Sequence, residues 1–284
     1  YSQQNLNYIK TQFSHNVTQH TLIKLYIVEN VKPSFDMKYI KKKTILPNFH
    51  FMITAFLTCL ISSMGFSQVA LVEYHGALKN MMHKGDITAK ADLSDLKKTE
   101  HLYALGALEN LKGEIQIFDS KPYNTMVDGK ALMFDQSFSK KATLLVYASV
   151  SEWNNIVIPN NVVTYEQLEA FIKQEAVKNR IDTDAPFPFL IEGTAKSFDW
   201  HVIDWKEGDT EHSHKKHISS GLNGTVRKRQ VEMLGFYSNA HHAIFTHHTT
   251  NMHIHVKTTD NKIAGHVDDL TLGKGMLLKL PAHN

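Results

Sequence analysis

The chain has 284 residues and a formal net charge of +3, but seven of its lysines and only two of its acidic residues fall within residues 1–67. Residues 68–284 therefore carry 24 basic and 26 acidic side chains, which gives no electrostatic argument for nucleic-acid binding. The single cysteine is Cys59, so disulfides and thiolate metal sites are excluded downstream, and a transition metal there would need histidine and carboxylate ligands.

The N-terminal region has the layout of a secretory signal peptide over residues 37–67. Several lysines follow Met37 and an apolar stretch covers 51–61. Small residues of the kind found before a cleavage site then precede Gln68. A membrane anchor is the alternative, but the apolar stretch is shorter than the ~20 residues that span a bilayer. We therefore predict export, with no stable membrane anchor after processing. Residues 1–36 are predicted to be a non-native or disordered upstream extension, and residues 68–284 to be the folded domain.

Strands dominate the first part of the predicted domain. Residues 81–96 indicate a helix end, a turn and a short amphipathic helix. The segment "IQIFD" at 115–119 alternates as a strand does and is followed by a turn, and "ATLLVYASV" at 142–150 is typical of a buried strand. Residues 164–179 predict a helix, with Thr164 and Gln167 placed as in a capping box and one apolar stripe.

The second part predicts strands at 187–193, 197–205 and 231–238, and a strand pair within 252–270. The intervening residues 206–230 are polar and contain His212, His214 and His217, which indicate either a binding patch or, as we favour, a solvated loop. The pattern predicts a mixed α/β (α+β) fold, dominated by strands, with more than one sheet.

Three histidines in "NMHIHVKTTDNKIAGHV" form the most informative motif. Alternate residues of a strand share a face, so His253 and His255 project together, and the turn "TTDNK" returns His266 beside them. Three neutral imidazoles with an open position form the usual catalytic zinc site. The alternative is a polar strand surface, because 12 of the 18 histidines lie between residues 201 and 283. The pairs at 241–242 and 247–248 fit loop positions better than ligand positions.

The chain resembles the bacterial α-acetolactate decarboxylases. The similarity lies in "LGFYSNAHHAIFTHHTTNMHIHVKTTDNKIAGHV", with the spacing of His253, His255 and His266, and in "LGALENLKGEIQIFDSKPYNTMVDG". The resemblance implies two packed β-structures with a few helices, a possible homodimer, and a small keto or hydroxy acid as substrate. It implies a zinc-dependent carboxy-lyase that converts 2-acetolactate, or a related 2-hydroxy-3-keto acid, to acetoin and CO₂.

The resemblance also assigns roles to residues. His253, His255 and His266 would hold zinc, which would act as a Lewis acid on the ketone. Glu114 matches a catalytic glutamate that supplies a proton, whereas His201 stands where the family has an arginine. The family also has a C-terminal active-site glutamate, and no Glu follows Glu232 here. Two other functions are open: a secreted protein that binds ligands in a zinc pocket without catalysis, and a three-histidine zinc hydrolase.

Overall fold

The computed structural model describes residues 70–283, in which the chain forms two antiparallel β-sheets and three α-helices. The predicted signal peptide at 37–67 and the predicted extension at 1–36 lie outside the described residues. The helices are α1 (Leu78–Lys84), α2 (Tyr165–Lys178) and α3 (His214–Ser220). The strands are β1 (Val72–His75), β2 (Ala91–Asp92), β3 (Leu102–Leu108), β4 (Glu114–Phe118), β5 (Lys121–Pro122), β6 (Asn124–Asp128), β7 (Ala131–Asp135), β8 (Lys141–Ser149), β9 (Trp153–Val157), β10 (Phe187–Val202), β11 (Leu222–Tyr237), β12 (Met252–Thr258), β13 (Ala264–Thr271) and β14 (Leu277–Pro281). Within residues 70–283, none of the helices has the length and apolar character needed to cross a membrane.

The first sheet has the strand order β1-β8-β3-β4-β6-β7, with β2 added on β8 and β5 on β4. Strand β3 is buried at every position because both faces of the sheet are covered there. Its alternate residues divide between two apolar clusters, with Tyr103 and Leu105 in one and Leu102 and Ala104 in the other. A strand that is buried on both faces has a continuous run of apolar residues in its sequence, as β3 does.

The second sheet has the order β11-β12-β13-β10-β14-β9, and a further pairing of β10 with β11 closes β10, β11, β12 and β13 into a circuit. Both β10 and β11 have 16 residues. Strand β10 pairs with β11 along one edge and with both β13 and β14 along the other. In this circuit His266 on β13 lies directly opposite His255 on β12 and opposite His201 on β10. The topology thus brings three separate sequence segments to one point.

An apolar layer lies between the two sheets. Leu105 and Val146 of the first sheet pack in one cluster with Leu234 and Phe236 of the second. Helix α2 covers the other side of the second sheet and buries the residues that its stripe predicts: Leu168, Phe171, Ile172 and Ala176. Its N-terminus has the predicted capping box between Thr164 and Gln167. Two packed sheets therefore position β4, β10, β12 and β13 around one region.

The predicted fold class is confirmed, as are the strands at 115–119 and 142–150 and the helix at 164–179. The prediction of a loop over 206–230 is wrong for most of its length, because 214–220 form α3 and 222–230 begin β11. Residues 222–230 pair with β10, but most of their side chains reach solvent, which makes the strand polar and loop-like in sequence. Likewise β6 occupies part of the segment that the sequence indicated as a turn after 115–119.

Candidate metal centre and active site

The histidine hairpin brings three imidazole nitrogens together. His253 and His255 share a face of β12, while Ile254 points into the apolar core on the other side. Within this group, His253 Nε2 lies 3.0 Å from His266 Nδ1 and 3.2 Å from His255 Nε2. One nitrogen of His253 therefore faces two others, and a single hydrogen atom cannot satisfy both contacts.

Gln116 fixes the orientation of the central ring. Its Oε1 lies 3.1 Å from His255 Nδ1, and both side chains are fully buried. A carboxamide oxygen only accepts hydrogen bonds, so His255 Nδ1 donates and the lone pair of Nε2 points to the other histidines. Gln116 is itself held, because its Nε2 donates to Thr125 Oγ1 at 3.2 Å.

Burial keeps the three imidazoles neutral. It lowers the pKa of His253 to about 4 and lowers the pKa values of His255 and His266 well below their ordinary value of 6.5. Neutral imidazoles have a free lone pair at neutral pH, which is the form that binds a metal.

The donor set fits a zinc-like divalent ion. Tetrahedral zinc with Zn–N bonds of ~2.0–2.1 Å separates its ligand nitrogens by roughly 3.3 Å, close to the two spacings around His253 Nε2. His253 Nε2 faces one ring nitrogen of His255 and one of His266, and the hydrogen atom on His255 Nδ1 leaves the lone pair of its Nε2 free. Both features favour a cation at the centre of the three histidines. Three protein ligands leave a fourth position for an oxygen ligand, as catalytic zinc sites do.

Glu114 lies beside this group, at the start of β4. Its Oε2 is 3.8 Å from His255 Nε2, and its Oε1 accepts a hydrogen bond of 3.3 Å from the Ile203 backbone N–H. Burial raises the pKa of Glu114 to about 8, against smaller opposing effects of His201 and the Ile203 N–H. Its carboxyl group therefore keeps its proton at neutral pH.

His201 completes the arrangement from β10. Its Nε2 lies 3.9 Å from Glu114 Oε1, and its ring centroid is 4.8 Å from that of His266. Its Nδ1 is 2.9 Å from each carboxylate oxygen of Asp268. Burial lowers the pKa of His201, but the hydrogen bond to Asp268, the charge of Asp268 and that of Glu114 in its ionised form outweigh burial and raise it overall.

A cavity of about 400 Å³ opens onto these groups. Glu114, His201, His253 and His266 line its polar side. Its apolar side is formed by residues that include Leu78, Met81, Leu111, Leu144, Ile203, Phe245, Met252 and Val267. A pocket with an apolar side and convergent polar groups suits a small organic ligand.

Histidines outside the predicted site also reach the cavity. His214 and His217 of α3 line it, as does His247 in the loop between β11 and β12. The segment before α3 is anchored, because the His212 ring stacks on Trp205 at 4.4 Å and its Nδ1 lies 3.0 Å from His217 Nε2. The favoured prediction of a solvated loop around these residues is therefore wrong.

The structure brings together all five residues that the sequence singled out: Glu114, His201, His253, His255 and His266. Sequence reasoning missed two groups that contact them, Gln116 and Asp268. A signal was present for both, since each stands two residues after a predicted site residue in a strand and so shares its face in a regular strand. His201, His266 and Asp268 also lie close enough together to hold a metal ion.

The family model for alpha-acetolactate decarboxylase matches residues 74–281, which is most of the chain and all of the site. The chain belongs to the alpha-acetolactate decarboxylase family. Members of this family are metal-dependent carboxy-lyases that act on a small molecule, and the histidine group in this chain is one that could hold a metal. No curated protein sequence matches the chain.

Solved structures of alpha-acetolactate decarboxylases share the fold. The enzyme from Bacillus subtilis strain 168 has a TM-score of 0.60 and 16% identity, over 77% of this chain and 87% of that chain. The acetolactate decarboxylase of Bacillus subtilis subspecies spizizenii gives a TM-score of 0.61 at 16% identity, over 76% and 86%. A Staphylococcus aureus protein of unknown function, described as similar to alpha-acetolactate decarboxylase, gives 0.57 at 16%, over 73% and 84%.

Proposed function

We propose that this chain is an exported, zinc-dependent decarboxylase that converts 2-acetolactate, or a related 2-hydroxy-3-keto acid, to acetoin and CO₂. The observation that carries the proposal is the convergence of three neutral imidazoles beside a protonated, buried glutamate at one wall of a cavity. Membership of the alpha-acetolactate decarboxylase family supplies the reaction class.

His253, His255 and His266 would hold the zinc ion. When bound there, zinc would supply Lewis acidity toward the ketone and hydroxyl oxygens of the substrate. The bond to the carboxylate carbon breaks, its electron pair moves toward the ketone, and CO₂ leaves. The apolar side of the cavity favours this step, because a charged carboxylate becomes a neutral molecule in a poorly solvated place.

Glu114 would then deliver a proton to the remaining enediolate carbon. A general acid must hold its proton at the working pH and give it up in the reaction, and a pKa of about 8 meets that requirement near neutrality. Solvent returns the proton to Glu114, so each turnover consumes one proton and releases one CO₂. His201 would face the substrate carboxylate, and its raised pKa favours the protonated form that attracts an anion.

The test combines metal analysis with product detection. Purified protein loaded with zinc is incubated with racemic 2-acetolactate, and acetoin and CO₂ are measured. We expect His255→Ala to lose both zinc and turnover, and Glu114→Gln to keep zinc while turnover falls by about 10²-fold or more. His83→Ala, which removes an exposed histidine of α1, is the matched control and should change neither.

A folded, zinc-loaded chain that makes no acetoin would refute the proposal. Retained zinc and ligand affinity without turnover would then favour a binding protein. Turnover of a lactone that increases with pH would favour a hydrolase.

Export is tested separately, by N-terminal sequencing of protein secreted from cells that express residues 37–284, where processing near Gln68 is expected. The homodimer that the resemblance implies stays a prediction.

A further inference from the structure

A β-bulge lies where β13 passes His201 on β10. His201 pairs with His266 and Trp200 with Val267, but Asp199 pairs with Asp269, so Asp268 is left as the extra residue. In a regular ladder Asp268 would lie opposite Asp199, the position that Asp269 takes here. A bulge redirects the side chain of the extra residue, and bulges are common beside active sites.

At this bulge Asp268 contacts the imidazole of His201. Both oxygens of the carboxylate lie 2.9 Å from Nδ1, and the side chains of His201 and Asp268 are only 8% and 14% exposed. An ionised carboxylate can only accept, so Nδ1 must be the donor and carries a hydrogen atom. The other ring nitrogen, Nε2, is thereby turned toward Glu114, 3.9 Å from its Oε1.

This pair matters because an anionic substrate needs a group in the cavity that can carry a positive charge. Among the described residues that line the cavity, none is a lysine or an arginine. His217 of α3 is a poor substitute, since burial lowers its pKa to about 4. His201 is thus the cavity group best placed to meet an anionic substrate, and Asp268 is the group that holds its ring.

We infer that Asp268 is a positioning residue, which acts through His201 by keeping a hydrogen atom on Nδ1 and by fixing the ring orientation that presents Nε2 to Glu114 and the substrate. Asp268 does not touch the reacting atoms in this arrangement. The inference rests on the proposed function for its kinetic effect, but the tautomer of His201 is a property of the protein alone.

The first arm of the test is spectroscopic. Nitrogen-15 and proton NMR of the purified, zinc-loaded full chain should show a hydrogen atom on His201 Nδ1, with its proton signal shifted downfield by the carboxylate. His201→Gln assigns the signal, because that variant must lack it. Asp268→Asn should shift or abolish the signal. Asp260→Asn removes an exposed carboxylate from the turn of the same hairpin and should leave the signal unchanged.

The second arm measures turnover and zinc together. Asp268→Asn should lower kcat for 2-acetolactate by about 10–100-fold, the usual effect of losing such a partner, while zinc stays at one ion per chain. Asp268→Glu, which keeps the carboxylate, should recover the downfield signal and part of the activity. Asp260→Asn should keep wild-type kcat.

Three results would overturn the inference. One is an unprotonated Nδ1 in the wild-type spectrum, which decides the matter even where Asp268→Asn does not fold. Another is loss of zinc in Asp268→Asn, which would make Asp268 a ligand with His201 and His266. The third is unchanged kcat in a folded Asp268→Asn. A wild-type chain without acetolactate turnover would contradict the proposed function instead, and the NMR arm would still decide the tautomer.

Discussion

Glu114→Gln should stabilise the metal-free protein at neutral pH. The side chain is 6% exposed, and burial raises its pKa from the ordinary value of 4.5 to about 8. Below pH 4.5 the group is protonated in both the folded and the unfolded chain, so it has no effect on the pH dependence of stability. As the pH rises from 4.5 toward 8, only the unfolded chain ionises, and the free energy of unfolding falls by about 1.4 kcal/mol per pH unit.

At pH 7 the free energy of unfolding has fallen by about 3 kcal/mol, because roughly 2.5 pH units separate 4.5 from 7. Glutamine has nearly the same shape, can still accept from the Ile203 N–H, and never ionises. The wild type and Glu114→Gln should therefore have similar stability at pH 4.5, and the variant should gain about 3 kcal/mol by pH 7.

Urea unfolding of chelator-treated protein at a series of pH values measures this difference. Metal-free protein is required because a bound cation would itself favour the ionised carboxylate. Glu152→Gln, which changes an exposed glutamate, is the control and should show no such pH-dependent gain. A constant difference between wild type and Glu114→Gln across pH 4.5–7 would refute the assignment of a protonated, buried Glu114.

Three other predictions concern the support of the site. Gln116→Leu should weaken zinc binding by about 10–100-fold in competition with a chelator, because His255 Nδ1 loses its acceptor. Gly265→Ala should weaken it as well and lower the thermal midpoint, since the added Cβ would lie 2.5 Å from the His201 carbonyl oxygen and force β13 away from β10. Thr164→Ala should cost about 1 kcal/mol in urea unfolding through the lost cap of α2, with zinc affinity unchanged; unchanged stability would contradict the capping box.

Local patterns in the sequence were sufficient for the elements whose side chains repeat regularly. The stripe and capping box of α2 predicted a helix, and alternation in β12 predicted that His253 and His255 share a face. These features depend on the 3.6- and 2-residue periods of the backbone, so a single segment contains all the information they need. Polar segments were harder: residues 222–230 form half of a long strand but have a solvent-facing surface that resembles a loop.

The sequence by itself determined the residue types available to the site and the face that each strand presents. It could not place Glu114 and Gln116 beside His255, because β4 belongs to the other sheet and lies some 140 residues away along the chain. Nor could it place Asp268 against His201, which depends on the pairing of β13 with β10. Burial in the assembled core is what raises the pKa of Glu114 and lowers those of the three histidines. Desolvation arises only when both sheets exclude water from the same small volume, so only the tertiary structure decided the chemistry of these groups.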